Sequence, residues 1–464
     1  MQIKACHAFS PKGKALVGLM RMISMVVHFF YGKKFSQPLK NYHEDARYFR
    51  FPSEDLFYFM YKYYYLPHET DDNNGISSRH FSQQSFSELA PDGFFPTSEI
   101  TLTAAGDLMP YEWVKSAYCD ELWDDIGEHF FDADLVFANL ETPIIASKPV
   151  SYVPEMMLND MYFNGDEEMF HVFNGQRRYK GFDVLSTANN HSLDQGEDGV
   201  LENIAFLKNK KIAHVGTARN RKEQEDFPIL ERNGIKVAFL AYTYSMNKKT
   251  NPEGKAFLCN HIELNKPNID LQLIKNQSLL AKNRGADIVV ASVHYGNAYQ
   301  AFPSEHVIKN THRLFDECGI DIVLGGHAHN IQPMENYNFR CPFTQEKKKG
   351  FVIYALGDFI AYDIFTWGHL PVYLKLKIQK GIENGIEKTI LAEVEAVPVY
   401  VCGEYKSENQ KKLRLFDALN FENSDTLSKL PDFNQKEFTH LMRFYRKNFG
   451  AYQGNVKAIE CLNV

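Results

Sequence analysis

From position 99 onward the chain repeats one phrase: an apolar run rich in β-branched residues, often led by an Asp, then a short polar constellation. The instances are ITLTAAGD (100–107), DLVFANLE (134–141), DVLSTANNH (183–191), DIVVASVHYG (287–296), DIVLGGHAH (321–329) and FVIYALGDF (351–359). A further apolar run, KVAFLAYTY (236–244), lies between the third and the fourth. Apolar runs of this length bounded by turn residues predict buried strands. GVLENIAFLKNKK (199–211) and SEHVIKNTHRLFDEC (304–318) carry helical spacing between them. Strands alternating with helices predict an α/β architecture. Past 370, PVYLKLKIQKG and KTILAEVEAVPVYV predict antiparallel strands, and NQKEFTHLMRFYRKNF (434–449) a closing helix. No repeat of solenoid period appears.

Three units follow: an N-terminal extension (1–98), the α/β domain (99–400) and a C-terminal helical tail (401–464). The extension lacks the strand–helix rhythm and holds an aromatic cluster, FYFMYKYYYLP (57–67), then a polar linker-like stretch (68–85). In ALVGLMRMISMVVHFFYGKK (15–34), Arg21 and His28 interrupt the apolar run short of a clean membrane span. It is not expected to be a cleavable leader, since no small-residue site follows an unbroken apolar region. Three readings stand for residues 15–31: a helix packed on the protein, one giving peripheral membrane association, and, least favoured by the interrupted run, a true span.

Composition narrows the function classes. The net charge of −7 and the absence of a long basic run argue against nucleic acid as a partner. Seven scattered cysteines without a CxxC suggest neither a disulfide framework nor a thiolate metal site. Reduced, buried thiols are expected, which favours a cytoplasmic or membrane-associated setting.

Collecting the strand-end polar residues gives Asp107, Glu141, Asn190, His191, His294, His327 and His329. Taken singly, each has a plain alternative: Asp107 as a turn former, Asn190–His191 as a polar turn, His294 as a core histidine. Taken in order, they form an oxygen-and-imidazole set without sulfur, suited to Mn²⁺, Fe or Zn²⁺. In VLGGHAHNIQP (323–333) a Gly-Gly turn would present two imidazoles from an extended GHAH segment toward points a few ångströms apart. The remaining histidines, His80 and His312 among them, lack this context and are read as surface or structural.

The ordered set GD…NLE…ANNH…HYG…GGHAHNIQP…YALGDF resembles the bacterial CapA family of capsule-synthesis and poly-γ-glutamate-synthesis proteins, which is similar to the calcineurin-like metallophosphoesterases. The resemblance covers residues 99–400. It implies a four-layer α/β/β/α sandwich with one or two divalent ions (Mn, Fe or Zn) in a crevice at the strand ends. It further implies Asp107 and His329 on a first ion, Asn190, His294 and His327 on a second, and Glu141 between them. His191 would act as acid toward the leaving group, oriented by Asp194. The chain departs from the pattern at Met109, where metallophosphoesterases place a His, at Glu141 for a bridging Asp, and at Tyr295 and Asp358 for the family's Trp and Asn. The function implied is a hydrolase-like protein acting in the synthesis or anchoring of an anionic polymer, on a phosphoester or an amide. Two alternatives remain: a non-catalytic metal- or polymer-binding assembly factor, and a cytosolic phosphodiesterase for a small phosphate ester. Specificity would come from the loops at 144–182 and 245–285.

Overall fold

The computed structural model describes residues 6–35, 64, 80–84, 86, 89–157 and 161–449. Apart from Tyr64, the aromatic cluster at 57–67 lies outside the described residues, as does most of the polar stretch at 68–85. Among the described residues, fourteen strands form two mixed sheets. They are β1 (Phe94–Leu108), β2 (Leu135–Leu140), β3 (Val184–Ser186), β4 (Ala213–Val215), β5 (Ile229–Arg232), β6 (Ile235–Thr243), β7 (Ile288–His294), β8 (Ile322–Gly326), β9 (Gln332–Arg340), β10 (Lys347–Ala355), β11 (Asp358–Ile360), β12 (Val372–Glu383), β13 (Ile386–Ser407) and β14 (Gln410–Asp417). The first sheet runs β14-β13-β12-β1-β2-β3-β4, with β11 added beside the end of β1; the second runs β5-β6-β7-β8-β10-β9. The helices used below are α1 (Pro11–Phe35), α2 (Glu167–Phe173), α3 (Gly196–Asn209), α4 (Gln272–Asn283), α5 (Glu305–Cys318) and α6 (Asp432–Asn448).

Side chains alternate across a strand, so a sheet covered on both faces must be apolar at every position. β2 meets that condition everywhere but at Asn139, near its crevice end. Leu135 and Phe137 enter the core shared with the second sheet, where the Phe137 and Phe239 rings stack 5.9 Å apart. Val136, Ala138 and Leu140 face the opposite way, onto Trp123, Phe130, Phe131 and the buried face of α2. Helices α4 and α5 cover the far side of the second sheet through Ile274, Ala281, Val307 and Leu314. The expected four-layer α/β/β/α sandwich is therefore the observed one.

The Asp that leads each phrase has a geometric task. Asp134 accepts the amide of Thr101 (2.8 Å), Asp183 that of Val136 (2.9 Å), Asp287 that of Lys236 (2.8 Å) and Asp321 that of Val289 (2.9 Å). In all four the carboxylate at the foot of one parallel strand holds the amide opposite it on the preceding strand, one step before the first paired residues. The Asp thus fixes the start of the ladder, leaving the polar groups at the other end to build the site.

The boundary expected at 400 is corrected. β13 runs through it to Ser407 and pairs with β14, because Val399, Val401, Leu413 and Leu415 bury against the outer apolar cluster. Helix begins only at Ala418. α6 docks on the sheet by a buried carboxylate: Glu437 lies 2.9 Å from His369 Nδ1 and accepts from the Tyr400 hydroxyl at 2.8 Å. The N-terminal segment is tied to the domain as well. Cys6 bridges to Phe365, Ser10 N donates to Glu155 (3.1 Å), and Arg21 donates to the Cys6 carbonyl. Val17 and Ser24 of α1 are buried, whereas Leu19, Met22, Met25, Val26, Phe29 and Phe30 are exposed. By length and composition alone Pro11–Phe30 is apolar enough to cross a membrane, despite Arg21 and His28.

Asp321 offers a direct test of the strand-foot contact. It is buried between Lys282 Nζ (2.6 Å) and Lys348 Nζ (2.7 Å). Burial opposes its charge, but the two lysines hold its pKa at about 2 against an ordinary 3.8. Its contribution to stability is therefore complete above pH 4 and is lost as the pH falls toward 2. Asp321→Asn should cost about 3 kcal/mol at neutral pH by stranding the lysines. In denaturant titrations the gap between wild type and variant should narrow below pH 4; a gap independent of pH would overturn the account.

Candidate metal centre

The crevice forms where β1, β2, β7 and β8 end. Asp107 is fully buried near the end of β1. Its Oδ1 accepts from Asn139 Nδ2 (2.7 Å) and its Oδ2 from the backbone amide of His327 (3.0 Å). One strand over, Glu141 is equally buried, and neither of its carboxylate oxygens has a hydrogen-bond partner. His294, the last residue of β7, places Nε2 3.5 Å from Glu141 Oε1 and 3.0 Å from Asn190 Oδ1. His327 follows β8, its ring 4.9 Å from that of His294. One ligand atom from each of Glu141, His294 and His327 falls within a mutual 4.8 Å.

Two glycines make this approach possible. A Cβ at Gly326 would sit 2.9 Å from Asp107 Oδ1 and 3.2 Å from His294 Nδ1, and one at Gly325 would strike the Tyr354 carbonyl at 2.0 Å. The expected extended GHAH segment is corrected here. His327 and His329 both adopt left-handed backbone, with φ of 83° and 60°. Such a conformation costs a non-glycine residue about 1 kcal/mol or more. Asp107 offsets it by holding the His327 amide, and Asp358 by holding the His329 ring.

The seven strand-end residues divide into three arrangements. Glu141, His294 and His327 converge, with Asn190 on His294 and Asp107 beneath His327. His329 turns its Nδ1 to Asp358, at 2.9 and 3.1 Å, and its ring stacks on Tyr299. Asp358, whose task the sequence left open, thus orients an imidazole. His191 lies at the rim, its ring stacked on Phe163 at 3.6 Å and its Nδ1 2.6 Å from Asp194 Oδ2. Met109 is buried in the outer apolar cluster, so position 109 brings no ligand to the crevice. Asn139, Tyr244 and Asn247 were missed. Tyr244 Oη is 3.0 Å from His327 Nε2, and Asn247 Oδ1 accepts from Asn190 at 3.3 Å. Tyr244 ends the KVAFLAYTY run, so the strand-end rule applied to that run would have found it.

Electrostatically the crevice holds too much negative charge for its cations. Burial, then repulsion from Glu141, raises Asp107 to about 7; burial raises Asp358 to about 7 against the pull of His329. Burial also raises Glu141. His294 is pushed down to about 3 by burial, which keeps its imidazole neutral and its lone pair available. His329 is driven up, to about 10: burial opposes its charge, but Asp358, Glu141 and Asp107 outweigh it. A buried carboxylate that no group donates to, beside the neutral imidazole of His294, is the ligand set that a divalent cation fits.

The family profile of bacterial capsule synthesis protein PGA_cap matches residues 101–363. The chain belongs to that family. Among curated relatives of this PGA_cap member, the capsule biosynthesis protein CapA of Bacillus anthracis is 26% identical over 59% of this chain and 62% of its own, less than two thirds of its length. The PGA biosynthesis protein CapA of Bacillus subtilis is 24% identical over 65% of this chain and 74% of its own. Among solved structures, the chain is similar to the calcineurin-like phosphoesterase YfkN from Bacillus subtilis, at 13% identity and a TM-score of 0.37 over 75% of this chain and 97% of that one.

Protein loaded with Mn²⁺ and freed of excess should retain about one to two crevice ions per chain. Glu141→Gln and His327→Ala should each lose them by elemental analysis. Gly326→Ala, which forces Asp107 and His294 apart, should lose them while the fold survives by circular dichroism. A wild type that binds no Mn²⁺, Fe or Zn²⁺ would overturn the assignment.

Proposed function

We propose that this chain is a metal-dependent hydrolase-like protein acting in the synthesis or anchoring of an anionic, poly-γ-glutamate-like capsular polymer, on a phosphoester or an amide bond. The observation that carries the reading is the pairing of two different histidine environments in one crevice. His294 and His327 are buried beside the donor-free Glu141, and His191 waits at the rim with a carboxylate behind it.

Glu141, His294 and His327 would hold the ion, with Asn190 beside them. Bound there, a divalent cation supplies Lewis acidity toward a phosphoryl or carbonyl oxygen and lowers the pKa of water. The chain's own groups do the rest. Asp194 fixes the His191 ring through Nδ1, which leaves Nε2 as the atom that gives a proton to a leaving group. Stacking on Phe163 and the Phe163 amide on Asp194 (2.6 Å) keep that pair in place. His329, protonated against Asp358, sets a fixed positive charge beside the ion-binding groups and favours an anionic substrate. A pure binder would have no use for an Asp-oriented imidazole at the rim, which is why hydrolysis is preferred to assembly alone.

His191→Asn should leave metal content unchanged and lower kcat for a phosphodiester or γ-glutamyl test substrate by about 10²–10⁴-fold. Metal-loaded wild type inert toward both substrates would hand the site to polymer binding.

The exposed row Leu19, Met22, Met25, Val26, Phe29 and Phe30 supports a second element of the proposal, membrane association through residues 15–31. Wild type should sediment with vesicles of phosphatidylglycerol and phosphatidylethanolamine, and a Phe29→Ser, Phe30→Ser double variant should remain in solution. Equal sedimentation of the two would count against α1 as the contact.

A further inference from the structure

We propose that His80, His312 and Glu335 form a second divalent-cation site of the zinc class, which fastens the N-terminal extension to the outer face of the second sheet. The three come from separate parts of the chain: His80 from the extension, His312 from α5 and Glu335 from β9. His80 Nε2 and His312 Nε2 lie 2.9 and 3.0 Å from the same oxygen, Glu335 Oε1. One ligand atom from each falls within a mutual 4.8 Å. Two imidazole nitrogens within 3.0 Å of one carboxylate oxygen are a zinc donor set, and ligand distances near 2.0–2.1 Å would require each His–Glu335 separation to open by only a few tenths of an ångström.

The surroundings are built to hold those donors still. Glu335 is 2% exposed, and its other oxygen accepts from the Tyr354 hydroxyl at 2.6 Å, which orients the carboxylate as an outer partner does for a ligand. The His312 ring stacks on Tyr337 at 4.1 Å and 15°. His80 meets Phe81 edge-on, and Phe81 is buried against Tyr354 and Phe302. His80 is half-exposed, at 40% of its side chain, which leaves room for water at a fourth position.

The site shares no residue with the crevice, so the two are separable by mutation. Apo full-length protein should take up zinc by calorimetry, with one binding event surviving in His327→Ala. That event should weaken by at least about tenfold in His80→Asn and in His312→Asn. Cobalt in the His327→Ala background should give the visible absorption of a four-coordinate ion, lost in the same two variants. Zinc should also slow proteolytic cleavage between residues 36 and 90 in His327→Ala, and not when His80→Asn is added. His80→Asn changes a half-exposed side chain outside both sheets, so loss of binding there cannot be put down to unfolding. Zinc uptake abolished by His327→Ala alone, or unchanged in His80→Asn and His312→Asn, would overturn the proposal; the crevice assignment stands or falls by Glu141→Gln independently.

Discussion

Glu141 is the constraint on which the rest of the site depends. An ionised carboxylate removed from water without a hydrogen-bond donor costs several kcal/mol, and proteins keep such groups only where something else supplies the compensation. Here the neighbours increase the deficit: Asp107 and Asp358 are buried in the same crevice, while His329 is driven up against Asp358. Asp107 is committed to Asn139 and the His327 amide, and Asp358 to the His329 ring. Glu141 is therefore the carboxylate left to meet an incoming cation, and the backbone around it is shaped to that end.

That shape comes at the junction of both sheets. β1 and β2 deliver Asp107 and Glu141 from one, and β7 and β8 deliver His294 and His327 from the other. Neither sheet alone holds the set. The parallel register that pairs Asp107 with Asp358 across β1 and β11 brings the His329 partner to the same place. The strained turn after β8 is consistent with this division. Left-handed backbone at His327 and His329 persists because carboxylates from β1 and β11 hold it there.

Much of this was legible in the sequence because strand ends are where α/β sheets expose polar groups, and apolar runs mark strands plainly. The α/β architecture, the strand-end residues and α5 were visible in that pattern, and the four layers followed from the family resemblance it carries. What escaped has physical reasons. The left-handed turn at 327–329 depends on contacts with Asp107 and Asp358, far away in the chain. Tyr244 directly follows β6 but carries no common metal-ligand side chain, so no ligand pattern includes it. The helical tail begins later than the sequence predicts because β14 is a short edge strand whose apolar Leu413 and Leu415 alternate with Lys412 and Arg414, too brief a pattern to stand out from the polar residues around it. His80, His312 and Glu335 come from three unrelated elements, and no local spacing could link them.

The strand-foot aspartates bear on how this domain tolerates change. At Asp134, Asp183, Asp287 and Asp321 the residue on either side is apolar: Ala133 and Leu135, Phe182 and Val184, Ala286 and Ile288, Ile320 and Ile322. A slip of one position in either direction would put a hydrocarbon where the neighbouring amide needs an acceptor, and would also turn the strand's side chains to the wrong layer. An insertion or deletion just ahead of one of these strands would therefore break the start of its ladder. The segments at the opposite strand ends carry no such contact, so a change in their length leaves the ladder's start in place. In this chain the scaffold is copied with a fixed frame, while the chemistry above it is free to be edited.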